Sequence, residues 1–344
     1  MSPEIQSLLQ SYYRRTFPHM TGAQVSQLIS INAGWESDVY TFHLASRQGD
    51  PGQDLVLRLY QGRVAATKAQ TEFSGMQRLF QVGYPVPRVY FVENDRSPFG
   101  KPFMVMEKID GVMLWPVLFS APEPLCTVRL ERFCGLMVRL HHLDWRQVLP
   151  EMPGYNGRDP YFFFTRELRR WRTFFDQNPA EGFRALMGWL EECTPAVPCL
   201  RPGPVHWDLH PANVLLTPDE RMVVIDWTQV DVTDTRFDLA WTLLLVSTQE
   251  DERWRKVILE SYERQTGQKI EQIEVFEAAV CVKRLASVAL SLSIGPESLG
   301  MREGAQASML AMLPALRKVY ARLRDITGLR IPEVERMFSS LGKA

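Results

Sequence analysis

Cysteine is sparse and poorly placed for chemistry. The five cysteines, Cys126, Cys134, Cys193, Cys199 and Cys281, are odd in number, form no Cys-x-x-Cys pair and have no histidine at matching spacing. That pattern argues against a disulfide framework or a zinc site and for reduced thiols. An excess of either charge is missing too. With 39 Lys+Arg against 40 Asp+Glu, the net charge is -1, so no overall basic field attracts nucleic acid or anionic lipid, and any ligand is met at a local site. No long apolar run is uninterrupted. The best candidate, Val275 to Ile294, contains Glu277, Lys283 and Arg284 and is too polar to span a membrane. The opening MSPEIQSLLQSYYRRTF sets charged residues before any apolar run, unlike a secretory signal. Repeats and low-complexity segments are absent. These absences predict a cytoplasmic protein without a nucleic-acid or membrane partner, and they leave its oligomeric state open.

What is present is an ordinary globular composition. Of 344 residues, 45% are hydrophobic and 23% charged, enough for one large or two modest domains with cores of their own. Ile5, Leu8, Leu9 and Tyr12 are spaced as on a helix, and residues 1–28 read as an N-terminal helical extension. Strand signals then dominate: Ser30 to Asn32, Val39 to Leu44, Leu55 to Tyr60, Arg88 to Glu93 and Phe103 to Met106, with one helical stretch from Ala65 to Val82 inserted. After Gly111 the periodicity is mostly helical, at 125–144, 160–192, 236–265 and 272–326. One β-rich stretch, Val214 to Leu216 and Met222 to Asp226, interrupts it. The expected class is α+β: residues 29–107 form a small antiparallel β lobe, and residues 108–344 form a larger helical lobe.

The chemistry is concentrated in VHWDLHPANVL, residues 205–215, followed by VIDW at 224–227. Asp208, Asn213 five residues on, and Asp226 beyond a β-hairpin suit phosphoryl transfer. One carboxylate orients or deprotonates a hydroxyl, while an amide oxygen and a second carboxylate hold Mg²⁺ on nucleotide phosphates. Magnesium takes hard oxygen ligands and keeps water and phosphate in its shell, so two protein ligands suffice. The bland reading is a loop whose Asp and Asn satisfy backbone groups.

These residues resemble the aminoglycoside phosphotransferase and choline kinase-like family, which shares the two-lobed protein-kinase-like fold. His-x-Asp-Leu-His-x-x-Asn followed by Ile-Asp-Trp is met residue by residue. The resemblance implies Asp208 as catalytic base, His206 as support of the catalytic loop, Asn213 and Asp226 as Mg²⁺ ligands, and ATP or GTP as phosphoryl donor. His210 fits the pattern as well, as a direct participant or as a hydrogen-bonded loop histidine. Asp238, in Arg236 to Ala240, is similar to an Asp that braces the active-site loop; an ordinary helix N-cap would explain it equally. Glu72 is the implied ion-pair partner of a strand residue touching the phosphates. Met106, Glu107 and Ile109 fall where the lobes are linked and adenine is held.

Two departures from the family pattern stand out. The strand position usually occupied by Lys is Arg58, which keeps the charge but replaces an ammonium with a planar fork; Lys68 cannot stand in for it from the same strand. A full Gly-x-Gly-x-x-Gly loop is missing, and only Gly34 and Ser37 are available for a phosphate turn, which also reads as a plain hairpin. The acceptor is expected to be a hydroxyl of a small metabolite bound by the helical lobe. The aromatic stretch Tyr155, Tyr161, Phe162, Phe163, Phe164 and Trp171 reads as pocket or as core. Arg166, Arg169, Arg170 and Arg172 would repel a polycation if they faced the pocket. The alternative function is a nucleotide-binding regulatory module, or pseudokinase, without turnover. A protein kinase ranks lower because no Asp-Phe-Gly or Ala-Pro-Glu segment follows the loop.

Overall fold

The computed structural model describes residues 2–31, 37–62, 64–94, 98–177, 181–294 and 305–341. The chain divides into two compact units, one of Met1–Val112 with Leu215–Thr228, the other of Met113–Val214, Gln229–Pro296 and Gly304–Ala344.

The first unit is built on a five-stranded antiparallel sheet in the order β1-β2-β3-β5-β4, from β1 (Gln24–Ile31), β2 (Ser37–Ala45), β3 (Gln53–Tyr60), β4 (Val89–Glu93) and β5 (Phe103–Glu107). The two faces of β3 separate the jobs of the sheet, because alternate side chains point to opposite sides. Leu55, Leu57 and Leu59 enter a core shared with Phe42, Leu44, Phe103 and Val105, on the face covered by α1 (Ser2–Thr16) through Leu9, Tyr12 and Tyr13. Arg58 and Tyr60 take the other face, toward Glu72 of α2 (Ala65–Gln81). A hairpin of β8 (Val214–Leu216) and β9 (Met222–Val224) runs beside β6 (Val112–Met113). It is tied in by the Val224 amide on the Pro85 carbonyl at 2.9 Å and by fully buried Trp227 edge-on to Tyr84 at 5.7 Å.

The second unit is mainly helical. It contains α3 (Leu114–Phe119), α4 (Glu123–His141), α5 (Trp145–Val148), α6 (Phe162–Gln177), α7 (Glu181–Cys193), α8 (Arg236–Gln249), α9 (Arg253–Thr266) and α10 (Ile273–Ile294), followed by α11 (Ala305–Ala311), α12 (Leu313–Thr327) and α13 (Pro332–Leu341). Helix α8 is buried on every side, Phe237 through Val246 without a break, the pattern of a helix enclosed by its neighbours. It packs against α9, α10 and α12. Short strands β7 (Gly203–Val205) and β10 (Asp231–Thr233) pair antiparallel, Val205 opposite Asp231. At Gly203 any side chain would collide with the His141 carbonyl, so glycine permits the close approach.

Three expectations are corrected. The N-terminal helix ends at Thr16 and β1 begins at Gln24, inside the stretch 1–28 read as helical. As a mostly exposed edge strand, β1 lacks the alternation that identifies a half-buried one. The first helix is also no appendage, because its apolar face completes the sheet core. Strands β7 and β10 were not anticipated, since three-residue strands are too short to show a period. All five cysteines are free, four of them buried and Cys193 half-buried, and no described helix is long and apolar enough to cross a membrane.

Phe103 is fully buried, with its ring 5.1 Å from Tyr12 and 4.9 Å from Phe99. Phe103→Ala is expected to destabilise the protein by about 3–5 kcal/mol in denaturant unfolding; a loss below about 1 kcal/mol would contradict this account of the core.

Candidate functional site

In the second unit, β7 delivers the chain into the loop His206–Asn213, and α8 fixes that loop from below. Asp238, fully buried, accepts the amides of His206 and Trp207 at 2.6 Å each, one on each carboxylate oxygen. His141 Nε2 lies 3.5 Å from the same carboxylate, with its Nδ1 2.8 Å from the Tyr262 hydroxyl. Asp238 makes no capping bond to its own helix, whose N-cap is Thr235, so it braces the loop and does not cap. Held this way, Trp207 adopts φ 66°, a left-handed conformation uncommon for a large side chain. Thr242 Oγ1 donates to the Leu209 carbonyl one turn further along α8.

Asp208 projects from this clamp. Its Oδ1 accepts Trp241 Nε1–H at 2.7 Å and lies 3.3 Å from His210 Nε2; its Oδ2 accepts the Asn213 amide at 3.1 Å. Burial pushes the Asp208 carboxyl up, but its electrostatic interaction and hydrogen bond with His210, together with Lys283 and His206, outweigh it and hold the group well below the ordinary carboxylate range. His206 Nδ1 accepts the Asp208 amide at 3.3 Å, and His210 Nδ1 accepts the Ala212 amide at 3.3 Å. The His210 tautomer that caps residues 211–213 therefore presents Nε2–H toward Asp208. Asn213 spends its Nδ2 on Asp208, which leaves Oδ1 as an acceptor with no partner among the described residues.

In the first unit, Arg58 is a fork. Its Nη1 donates to Glu72 at 2.9 Å and its Nη2 to Asp226 Oδ1 at 2.8 Å, while Tyr60 donates its hydroxyl to the other Glu72 oxygen at 2.7 Å. Desolvation alone would lower the guanidinium, but Glu72 and Asp226 raise it above its usual value, so it stays charged. Arg58 Nε is buried with no hydrogen-bond partner. Asp226 sits at φ 66°, a strained conformation of the kind that clusters at functional sites. The amide and carbonyl of Ile109, beyond β5, form no hydrogen bond with the described residues, whereas Glu107 is tied to Arg88 through its amide at 2.8 Å and its carboxylate at 3.0 Å. Met106 is buried. Ser37 opens β2, and Gly34 lies outside the described residues. Asn213 and Asp226 fall in different units. Among the described residues, no group of three or more His, Cys, Asp and Glu could hold a metal ion, so a cation here would depend on oxygens from fewer protein ligands.

The second unit also holds a cavity of about 650 Å³ lined in part by Trp171, Trp207, Arg166, Arg170, Asp231 and Lys283. The aromatic stretch divides accordingly. Phe163 and Phe164 are core, Phe164 stacked on Phe237 at 5.8 Å, while Trp171 faces the cavity. The arginines divide too: Arg166 and Arg170 line the cavity, whereas Arg172 pairs with Glu191 on the surface. Sequence reasoning missed Trp241 and Lys283. Trp241 carried a weak signal, lying three residues after Asp238 and so on nearly the same face of α8; Lys283 carried none.

The sequence model of the phosphotransferase enzyme family matches residues 27–273. Among solved structures, a candidate aminoglycoside phosphotransferase from Ralstonia eutropha is 19% identical, with a TM-score of 0.66 over 96% of this chain and 98% of that one. A thermostable mutant of the aminoglycoside phosphotransferase APH(4)-Ia, in complex with AMP-PNP and hygromycin B, is 15% identical, with a TM-score of 0.59 over 93% and 97%. A choline/ethanolamine kinase family protein from Mesorhizobium loti is 15% identical, with a TM-score of 0.55 over 93% of each. These likenesses show the protein-kinase-like fold. A curated relative, acyl-CoA dehydrogenase family member 10 of Mus musculus, is 25% identical over 253 residues, covering 70% of this chain but 22% of that protein. Family member 11 of Gallus gallus is 26% identical over 47% of this chain and 21% of its own length. The chain thus spans about a fifth of the curated relatives it matches.

Removing the Asp238 carboxylate leaves two buried amides unsatisfied, at about 1–3 kcal/mol each. Asp238→Ala is expected to destabilise the protein by about 2–5 kcal/mol in denaturant unfolding, and a loss under about 1 kcal/mol would show that the loop does not depend on this clamp.

Proposed function

Because this chain belongs to the phosphotransferase enzyme family, we propose that it transfers the γ-phosphoryl group of ATP or GTP to a hydroxyl of a small metabolite, in the cytoplasm. The observation that carries the reading is the Asp208 environment. This ionised carboxylate is oriented by Trp241 and Asn213 on a loop whose backbone is clamped by a buried aspartate. In this reading residues 29–107 form the nucleotide-binding lobe and residues 108–344 the catalytic and substrate-binding lobe. Adenine sits against Met106, Glu107 and the backbone of Ile109, which has no hydrogen-bond partner among the described residues, with Ser37 and Gly34 at the phosphate turn. Arg58, kept charged by Glu72, serves the phosphates.

In this reading Asn213 and Asp226 are the Mg²⁺ ligands: Asn213 Oδ1 and the second oxygen of Asp226 are each hard donors not committed to protein donors among the described residues, and a bound Mg²⁺ would neutralise phosphate charge. The acceptor hydroxyl donates its hydrogen bond to Asp208. Its oxygen forms a bond to the γ-phosphorus as the bond to the β,γ-bridging oxygen breaks, the electron pair leaves with the nucleoside diphosphate, and the hydroxyl proton passes to Asp208. A carboxyl held below its usual range is a weak base, so Asp208 orients the hydroxyl first and receives the proton late, once the forming bond has acidified it. His206 supports this loop through the Asp208 amide. A regulatory module without turnover would not need such an oriented carboxylate.

Asp208→Asn is expected to retain Mg²⁺-nucleotide binding in a thermal-shift assay and to lose phosphoryl transfer by about 10²–10⁴-fold. Full transfer by that variant would remove Asp208 from its role. Failure of the wild-type protein to form more than one phosphorylated product per protein with any acceptor would favour the regulatory module.

A further inference from the structure

The charges in the cavity of the second unit are nearly all matched internally. Arg166 donates to Asp231 at 2.8 Å and pairs with Glu167 at 2.9 Å. Arg170 pairs with the same two carboxylates at 2.9 Å each. Lys283, on α10, is the exception: its ammonium donates to the Trp207 carbonyl at 2.9 Å and lies 4.9 Å and 4.8 Å from the ring centres of Trp207 and Trp241. No described carboxylate forms an ion pair with it. The nearest negative groups act only at longer range: Asp208, Asp238, whose oxygens are taken by amides, and Glu167, which is taken by arginines. Glu151, on the cavity wall, is exposed. Beside Lys283, Arg284 is likewise without an ion-paired carboxylate; its guanidinium lies over Trp241 at 5.9 Å and contacts the Met312 sulfur at 3.2 Å.

A half-buried ammonium without a contacting counter-ion is partly desolvated, at a cost that a ligand anion would offset. Two aromatic faces beside an ammonium whose three donors are only partly used form a receptor for an anion on an otherwise apolar body. The cavity wall includes Trp207, the residue before Asp208, and Lys283, whose charge acts on the Asp208 carboxylate, although Asp208 is not itself on the wall. We propose that the acceptor is a hydroxy-carboxylate, its carboxylate paired with Lys283 and its body against Trp207 and Trp171. A singly charged group is favoured over a phosphate because the neighbouring arginines are already neutralised. This assignment rests on the phosphotransferase reading of Asp208.

The test uses matched ligands on an alkyl scaffold of about four to eight carbons and on a benzyl alcohol scaffold. Each scaffold carries one hydroxyl and ends in a carboxylate, its primary amide or an amine. Binding to the full chain is measured by calorimetry, and phosphoryl transfer separately by nucleoside diphosphate release with Mg²⁺-ATP. At least one carboxylate is expected to bind about tenfold or more tighter than its amide and to exclude the amine. Lys283→Met and Lys283→Gln are expected to erase that preference, appearing in KM more than in kcat. Equal or better binding of the amide or amine, no binding of any carboxylate, or an unchanged preference in both Lys283 variants would overturn the proposal. Phosphorylation of the amines or amides alone would overturn it while leaving the phosphotransferase reading intact. Lys283-dependent carboxylate binding without transfer would uphold the carboxylate site and remove the kinase.

Discussion

A single buried carboxylate organises the loop on which the proposed chemistry depends. Asp238 places one oxygen on each of two consecutive backbone amides, those of His206 and Trp207. That pairing holds Trp207 in a left-handed conformation that an unsupported chain would leave. With the Trp207 backbone reversed, its carbonyl meets Lys283 and the next residue, Asp208, meets Trp241 and Asn213. The strain at Trp207 is thus offset within the same unit, by hydrogen bonds to a fully buried carboxylate. The enclosed helix α8, buried from Phe237 through Val246, gives Asp238 and Trp241 a rigid base.

The first unit solves a different problem. A planar guanidinium at position 58 has donors on separate edges, and the structure uses them on Glu72 and Asp226. An ammonium would satisfy neither geometry in the same way. Its neighbours keep the arginine charged despite burial, so the departure from lysine preserves a fixed positive group on this face of the sheet. Tyr60, two residues along the strand, secures the second Glu72 oxygen, which fixes the carboxylate and leaves the fork little freedom to rearrange.

Much of this was legible in the chain because it is local. Periodicity exposes the strand bearing Arg58 and the helix bearing Glu72, and spacing singles out Asp208, Asn213 and Asp226, whereas the parts of His206, Arg58 and Glu72 came only from the resemblance to the family's motifs. The resemblance implies the Arg58–Glu72 pair and Asp238 as a brace, and what separates bracing from ordinary capping is that the Asp238 carboxylate accepts the His206 and Trp207 amides. What escaped notice depends on tertiary placement. Lys283 belongs to a helix that reads as core, and nothing in its neighbours reveals that it meets Trp207. The aromatic stretch of α6 could not be sorted into core and cavity without knowing which side faces Phe237. The edge strand β1 stayed hidden because exposure on both faces removes the alternation that reveals strands.

The central claim is that the chain is a Mg²⁺-nucleotide-dependent phosphotransferase. It is tested most directly by the thermal unfolding midpoint with ATP, GTP and ADP, each with and without Mg²⁺, because a ligand that binds only the folded state must raise that midpoint. The account predicts a concentration-dependent rise with at least one nucleoside triphosphate that is larger when Mg²⁺ is present. No shift with any of the nucleotides at about millimolar concentration would contradict it, leaving a kinase-like scaffold that binds something else.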